Sequence, residues 1–173
     1  MLIRIRIFPA EDTPGCTVST VIPGVTYVTP MRKENAMIEL INTAVQTVQP
    51  GQSVVYNTAA VRSTCGRERH RAGSAFVTLL PPGRYLVTFS GNIAVPTGET
   101  VGEISLGITQ DGEVLGGSLM RVTPAAVEEY FNVSTQHYVD TYCQCCVNVG
   151  VQNTSDIPVL VDNPNITVVR VCG

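Results

Sequence analysis

The sequence has no tryptophan, few charges and no long apolar run. Asp, Glu, Lys and Arg make up 14% of its 173 residues, and aromatic residues 6%. No stretch approaches the roughly 20 apolar residues of a membrane-spanning helix, so we expect no membrane partner. The net charge of −3 provides no broad basic field, so we expect no nucleic-acid partner.

The opening "MLIRIRIFPA" lacks the uninterrupted apolar core of a secretion signal. Arg4 and Arg6 separate its leucine and isoleucines, and the alternation favours a strand instead. We therefore expect no secretion signal here.

Catalytic and metal-binding patterns are also missing. Paired Cys-x2-Cys spacings are absent, and His70 has no neighbouring serine and aspartate in the pattern of a catalytic triad. The adjacent Glu128 and Glu129 would face opposite sides of a strand, unlike the paired carboxylates of a glycosidase. We expect no enzyme and no cofactor.

The sequence is rich in Thr, Ser, Asn, Gln and Gly, which is typical of β-rich proteins. Strict alternation in "RYLVTFSGNIAV" predicts a strand with one apolar face, and Asp111-Gly112 predicts a hairpin turn. Alternation over 131–151 predicts two strands separated by a bend near 139–142, because one strand of that length is rare. Eight or more short strands and almost no helix predict an all-β antiparallel sandwich or jelly roll.

The chain is expected to comprise two parts. Four prolines cut residues 1–30 into short extended pieces, and residues 31–48 have both helical and strand-like spacing. Residues 1–50 are therefore predicted to form an extended N-terminal arm with short strands and a short helix or strand. Residues 51–173 are predicted to form the jelly-roll head.

Several segments together resemble the jelly-roll superfamily of tumour necrosis factor and the complement globular heads. They are "PPGRYLVTFSGNIAV", "GEISLGITQDGEVL", "EYFNVSTQHYV" and the terminal "NITVVRV". The closer similarity is to bacterial and phage heads that end spore and virion filaments, and to phage decoration and head-fibre proteins. The likeness spans roughly 53–171, without an upstream Gly-X-Y collagen repeat.

This resemblance implies a homotrimer packed through one sheet, used for display, adhesion or capping. Low charge and positive mean hydropathy also favour apolar surface covered by partner subunits, although a well-packed monomer is the alternative. We expect a structural head attached to a capsid or other surface assembly through residues 1–50. The expected location is the phage virion, or alternatively a bacterial cell or spore surface. An adhesin or lectin-like module that binds glycans is the second hypothesis.

Six cysteines occur in the chain, three of them within "CQCC". Neighbours two apart on a strand have poor disulfide geometry, so members of this cluster are not expected to bond one another. Buried thiols, disulfides to distant cysteines or other subunits, and a zinc site including His137 remain alternatives. The candidate buried thiols or disulfide partners are Cys65, Cys143, Cys145, Cys146 and Cys172.

The segment "CGRERHRAG" has the densest positive charge in the sequence. Its candidate ligand or partner contacts are Arg67, Arg69, His70 and Arg71. Guanidinium groups at this density suit a phosphate, a sulfate or a carboxylate. The alternative is a solvated loop with mixed charges.

Overall fold

The computed structural model describes residues 36–64, 66–142 and 146–172, with only the main chain of Cys172. The chain divides into two units, 1–34 and 35–173. The predicted strands before residue 31 lie outside the described residues. All the described strands belong to the second unit.

Twelve antiparallel strands and no helix are found in the described part of the chain, as expected for an all-β jelly roll. The strands are β1 (Met37–Ile41), β2 (Gln46–Val48), β3 (Thr58–Val61), β4 (Glu68–Arg69), β5 (Val77–Leu79), β6 (Gly83–Ala94), β7 (Ile104–Gln110), β8 (Glu113–Val114), β9 (Met120–Val122), β10 (Phe131–Thr141), β11 (Val147–Asn153) and β12 (Val159–Cys172). The first sheet has the order β10-β6-β12-β1-β3, with β2 paired to β12. The second has the order β4-β5-β11-β7-β8, with β9 paired to β7.

The predicted boundary at residue 50 is wrong. Residues 37–48 form β1 and β2, and both strands pair with β12 of the head. Ile38 and Leu40 are buried while their neighbours are half-buried, so the apolar spacing follows a strand rather than a helix. Between the strands, the Asn42 side chain accepts a hydrogen bond from the Ala44 backbone N–H at 3.1 Å, which stabilises a turn. The head therefore includes residues that the sequence analysis assigned to the arm.

The alternation in β6 is confirmed. Tyr85, Val87, Phe89 and Ile93 are fully buried between the two sheets, and the residues between the first three are half-buried. Burial of each such side chain contributes about 1.5–3 kcal/mol to folding. The Tyr85 hydroxyl donates to the Leu80 carbonyl oxygen at 2.7 Å, so its polar end is satisfied.

The predicted break in 131–151 is also confirmed. β10 ends at Thr141 and β11 begins at Val147, and the odd-numbered residues face inward in both strands. The hairpin turn between β7 and β8 is formed by Asp111 and Gly112, at φ 50° and 91°.

Candidate functional site

The outward face of the first sheet is open. The inward residues of β6, β12 and β1 are buried, whereas their outward neighbours are only half-buried and those of β10 are mostly exposed. We call this surface, made of the outward positions of β10, β6, β12 and β1, the open face. Because these side chains keep part of their surface in solvent, another molecule has access to them.

One row across the open face is apolar. Strand register places Tyr138 opposite Leu86, Leu86 opposite Val169, and Val169 opposite Met37. We call these four residues the apolar row. The Tyr138 side chain is 60% exposed, although tyrosine is well suited to being buried at an interface.

The centre of the open face is mostly polar. Its next two rows are Gln136, Thr88, Thr167 and Glu39, and then Ser134, Ser90, Asn165 and Ile41. Asn165 donates to Glu39 Oε1 at 2.5 Å and accepts from the Thr167 hydroxyl at 3.1 Å. These bonds link the outward side chains of β1 and β12, so their polar atoms are partly satisfied within the head.

An ion pair borders the apolar row. Arg84 donates through Nε to Asp140 Oδ1 at 2.6 Å and through its terminal nitrogen to Oδ2 at 2.8 Å. This bidentate hydrogen bonding to Arg84 lowers the pKa of the Asp140 carboxyl, against a smaller opposing effect of burial. The pair is largely solvated and contributes orientation more than stability.

The edge of β10 is long and poorly protected. Within the described residues, this strand of 11 residues pairs only with β6, and Asp140 is its single formal charge. Proteins usually protect such edges with charges, prolines or a covering element, because unpaired backbone groups promote association. The edge and the open face are therefore two adjoining surfaces suited to contact with another subunit.

The second sheet packs its own side chains over its central strands. Residues 104–109 of β7 are buried on both sides of the sheet. A side chain at Gly107 would meet Val114 at 2.8 Å and Leu119 at 3.1 Å, and one at Gly150 would meet Phe76 at 2.8 Å. These apolar side chains pack directly on the glycines and cover the backbone there, while they keep more than a third of their own surface in solvent.

The basic segment is only partly available to a ligand. Arg67 donates to the Pro81 carbonyl oxygen at 2.8 Å and is half-buried. The His70 ring nitrogens lie 3.0 Å and 3.1 Å from the carbonyl oxygens of Phe76 and Tyr56, so the ring connects two chain segments. Glu68 is buried and accepts from the Ser63 hydroxyl.

Arg69 and Arg71 are the exposed members of the predicted contact set. Arg69 Nε donates to the Gly66 carbonyl oxygen at 3.3 Å, which leaves its other donors directed to solvent. The prediction of a ligand or partner contact stays untested, and it now concerns these two side chains.

One of the candidate cysteines is described with its side chain. Cys146 is exposed and its thiol is free within this chain, so it is not one of the buried thiols. Pairing of Cys146 with another subunit stays a prediction. Cys65, Cys143 and Cys145 lie outside the described residues, as does the side chain of Cys172. Among the described side chains, no cluster of three or more metal-binding groups occurs.

Sequence reasoning missed the apolar row. It used the apolar parity of β6 to assign the core and left Leu86 without a role, although Leu86 interrupts an otherwise polar outward set. Tyr138 gave a similar signal among polar even-numbered residues of β10. Their juxtaposition depends on register between strands far apart in sequence, which one sequence does not specify.

In the described part of the chain, no helix combines the length and apolarity needed to cross a membrane. Comparison with protein-family models gives no match, and comparison with curated proteins gives none either.

Solved structures share the fold. A tumour necrosis factor from S. frugiperda, Eiger, superposes with a TM-score of 0.59 at 12% identity, covering 80% of this chain and 94% of its own. Murine APRIL gives 0.52 at 10% identity, covering 77% and 97%. The globular domain of zebrafish complement 1qA gives 0.50 at 9% identity, covering 78% and 95%. The chain thus has the jelly-roll fold of the tumour necrosis factor and complement heads, as the sequence motifs indicated.

Proposed function

We propose that this protein is a non-enzymatic display module whose heads assemble as a homotrimer through the open face. The observation that carries the proposal is the open face itself. Its apolar row crosses four adjacent strands and ends at Tyr138, which is 60% exposed and lies on β10, the edge strand of the described sheet. The fold resemblance supplies the expected number of three subunits.

The geometry suits a ring. The β10 edge and the open face are different surfaces of one head, so the edge of each copy can pack on the face of the next. Such head-to-tail contacts close into a ring when the rotation between copies is a whole fraction of a turn. Three equivalent contacts would bury every apolar row and leave no β10 edge exposed.

The trimer is tested by measuring mass in solution with the full chain. Light scattering should give about three times the protomer mass of 18.5 kDa. Tyr138→Arg should shift the mass toward one protomer, because it places a charge in the contact without removing anything buried within the head.

Val127→Arg is the matched control. Val127 is also an exposed apolar residue, but it lies between β9 and β10 and outside the open face. The mass of the Val127→Arg variant in solution should equal that of the unaltered protein. A monomeric unaltered chain, or equal masses for both variants, would refute assembly through this face.

Attachment is the second part of the proposal. We infer that residues 1–34 bind a capsid or another surface assembly, with the phage virion as the location and a bacterial cell or spore surface as the alternative. The support is the division of the chain after residue 34 together with the resemblance of the sequence motifs to those of virion and spore filament heads. Peptide mass spectrometry of purified virions should detect the chain. Its presence only in cell-envelope or spore fractions would favour the alternative location.

A further inference from the structure

A cleft of about 700 Å³ lies on the outward side of the second sheet. It is bounded by the loop 100–103, by the strands β7 to β9, and by the loop 154–157. Its lining residues are not part of the open face, so trimer formation through that face leaves the cleft a separate surface.

The floor of the cleft is fixed by the chain itself. The hydroxyl oxygens of Ser105 and Thr154 are 2.6 Å apart, and the Thr154 backbone N–H donates to the Ser105 carbonyl oxygen at 3.0 Å. Val114 and Leu119 pack on Gly107, yet they remain 37% and 40% exposed. The cleft thus presents a small apolar platform that needs little ordering when a ligand binds.

Charged groups lie at the walls. Glu103 and Arg121 approach to 3.9 Å, with side chains 57% and 59% exposed, and Asp156 is exposed on the opposite loop. A solvated ion pair at this distance contributes little to stability, so its groups can exchange partners at low cost. The two carboxylates accept hydrogen bonds and the guanidinium donates them.

An extended peptide has little backbone to pair with here. Along β7, the strand β9 pairs with residues 104–106 and β8 pairs with residues 109–110. Between them, the buried Ser118 hydroxyl accepts from the Ile108 N–H at 3.0 Å and donates to the Leu115 carbonyl oxygen at 2.7 Å. A ligand over β7 must therefore be recognised by side chains rather than by adding a strand to β7.

The chemistry of the lining selects a class of ligand. A wholly apolar molecule would desolvate two carboxylates and a guanidinium without replacing their hydrogen bonds. An anionic ligand would meet two negative groups for one positive group. A sugar offers a C–H face for Val114 and Leu119, and hydroxyls that both donate and accept. We propose that the cleft binds a short uncharged glycan.

The test is a titration of the ¹⁵N-labelled full chain with neutral oligosaccharides of glucose, galactose, mannose and N-acetylglucosamine, followed by NMR. At least one oligosaccharide should cause saturable shifts confined to amides of residues 100–107, 114–121 and 154–157. Asp156→Asn and Glu103→Gln should each weaken that binding about tenfold, the effect of one charge-assisted hydrogen bond.

Glu113→Gln is the matched control, because Glu113 is an exposed carboxylate of β8 that does not line the cleft. Its affinity should be unchanged, and all three variants should keep the unfolding midpoint of the unaltered chain. Binding should also persist in Tyr138→Arg, which separates this proposal from the trimer. No saturable shift with any oligosaccharide, shifts centred on Arg69 and Arg71, or binding only of a short cationic peptide would overturn the proposal.

Discussion

The two sheets of this jelly roll use their outward faces differently. β6 alternates between buried and half-buried residues, whereas β7 is buried on both sides through residues 104–109. β7 achieves this because Gly107 leaves room for side chains from the following hairpin. The comparison shows that one sheet leaves its outward side chains half-exposed, while the other packs hairpin side chains over its central strand.

The largest expected effect on stability concerns Gly150 of β11, in the second sheet. In Gly150→Val, the added carbon atoms meet Phe76 and also the Ala75 carbonyl oxygen at 3.0 Å, which is backbone and cannot rotate away. We expect the free energy of unfolding to fall by about 3 kcal/mol, as in an overpacked core. Urea unfolding followed by circular dichroism measures it.

The control for Gly150→Val is Ser90→Val, an equivalent outward position on the open face. It should change protomer stability by less than about 0.5 kcal/mol. Both changes are made in the Tyr138→Arg background, so that assembly does not contribute. Similar losses for the two variants would contradict the distinction between the sheets.

Ser118 gives the next largest effect. Ser118→Ala removes the buried hydroxyl that accepts from the Ile108 N–H. The Leu115 carbonyl oxygen keeps the bond donated by the Ser118 backbone N–H at 3.2 Å. Leaving a buried polar group unpaired costs about 1–3 kcal/mol. We therefore expect the free energy of unfolding, measured with urea, to fall by about 2 kcal/mol.

Hydrogen exchange supplies a second measurement for the same variant. The Ile108 amide should exchange faster in Ser118→Ala, while amides in β6 keep their relative protection. An unchanged Ile108 amide would show that this hydroxyl does not protect the middle of β7.

Gly107→Ala should lower the free energy of unfolding by only about 1 kcal/mol, because the added methyl group meets the ends of side chains that can move. The double variant Gly107→Ala/Val114→Ala should regain most of the lost free energy of unfolding, because Val114→Ala removes the closer of the two contacts. Thermal unfolding of the single and double variants measures the recovery. If the double variant is less stable than Gly107→Ala, close packing of Val114 on Gly107 is not the cause.

Sequence reasoning predicted the strand parity, the hairpin at Asp111-Gly112 and the fold class, because alternation and turn chemistry are local signals. It placed the boundary too late because Met37, Leu40 and Ile41 fit a helix as well as a strand. Pairing with β12, more than 100 residues further along the sequence, decides between them. The internal hydrogen bonds of the basic segment were missed for a similar reason. The partners of Arg67 and His70 are backbone carbonyls on other segments, which no local spacing reveals.

The smallest expected effect on protomer stability depends on pH. It concerns the ion pair of Arg84 and Asp140 beside the apolar row. Hydrogen bonding to Arg84 lowers the pKa of Asp140 in the folded state below its ordinary value of 3.8. The folded state therefore binds a proton less readily than the unfolded chain. The stabilising contribution is present above about pH 4, and it is lost as the pH falls through the folded-state pKa.

The Asp140→Asn protein should consequently be slightly less stable than the unaltered protein at pH 6, and the difference should shrink as the pH falls through the folded-state pKa of Asp140. Urea unfolding of both proteins over this pH range, in the Tyr138→Arg background, measures this difference. In the assembled protein, a neighbouring head on the open face would shield the ion pair from solvent. The loss caused by Asp140→Asn should then be larger for the assembled chain than for the Tyr138→Arg background. Equal losses would place the pair outside the contact and confine the interface to the apolar row and the rows beyond it.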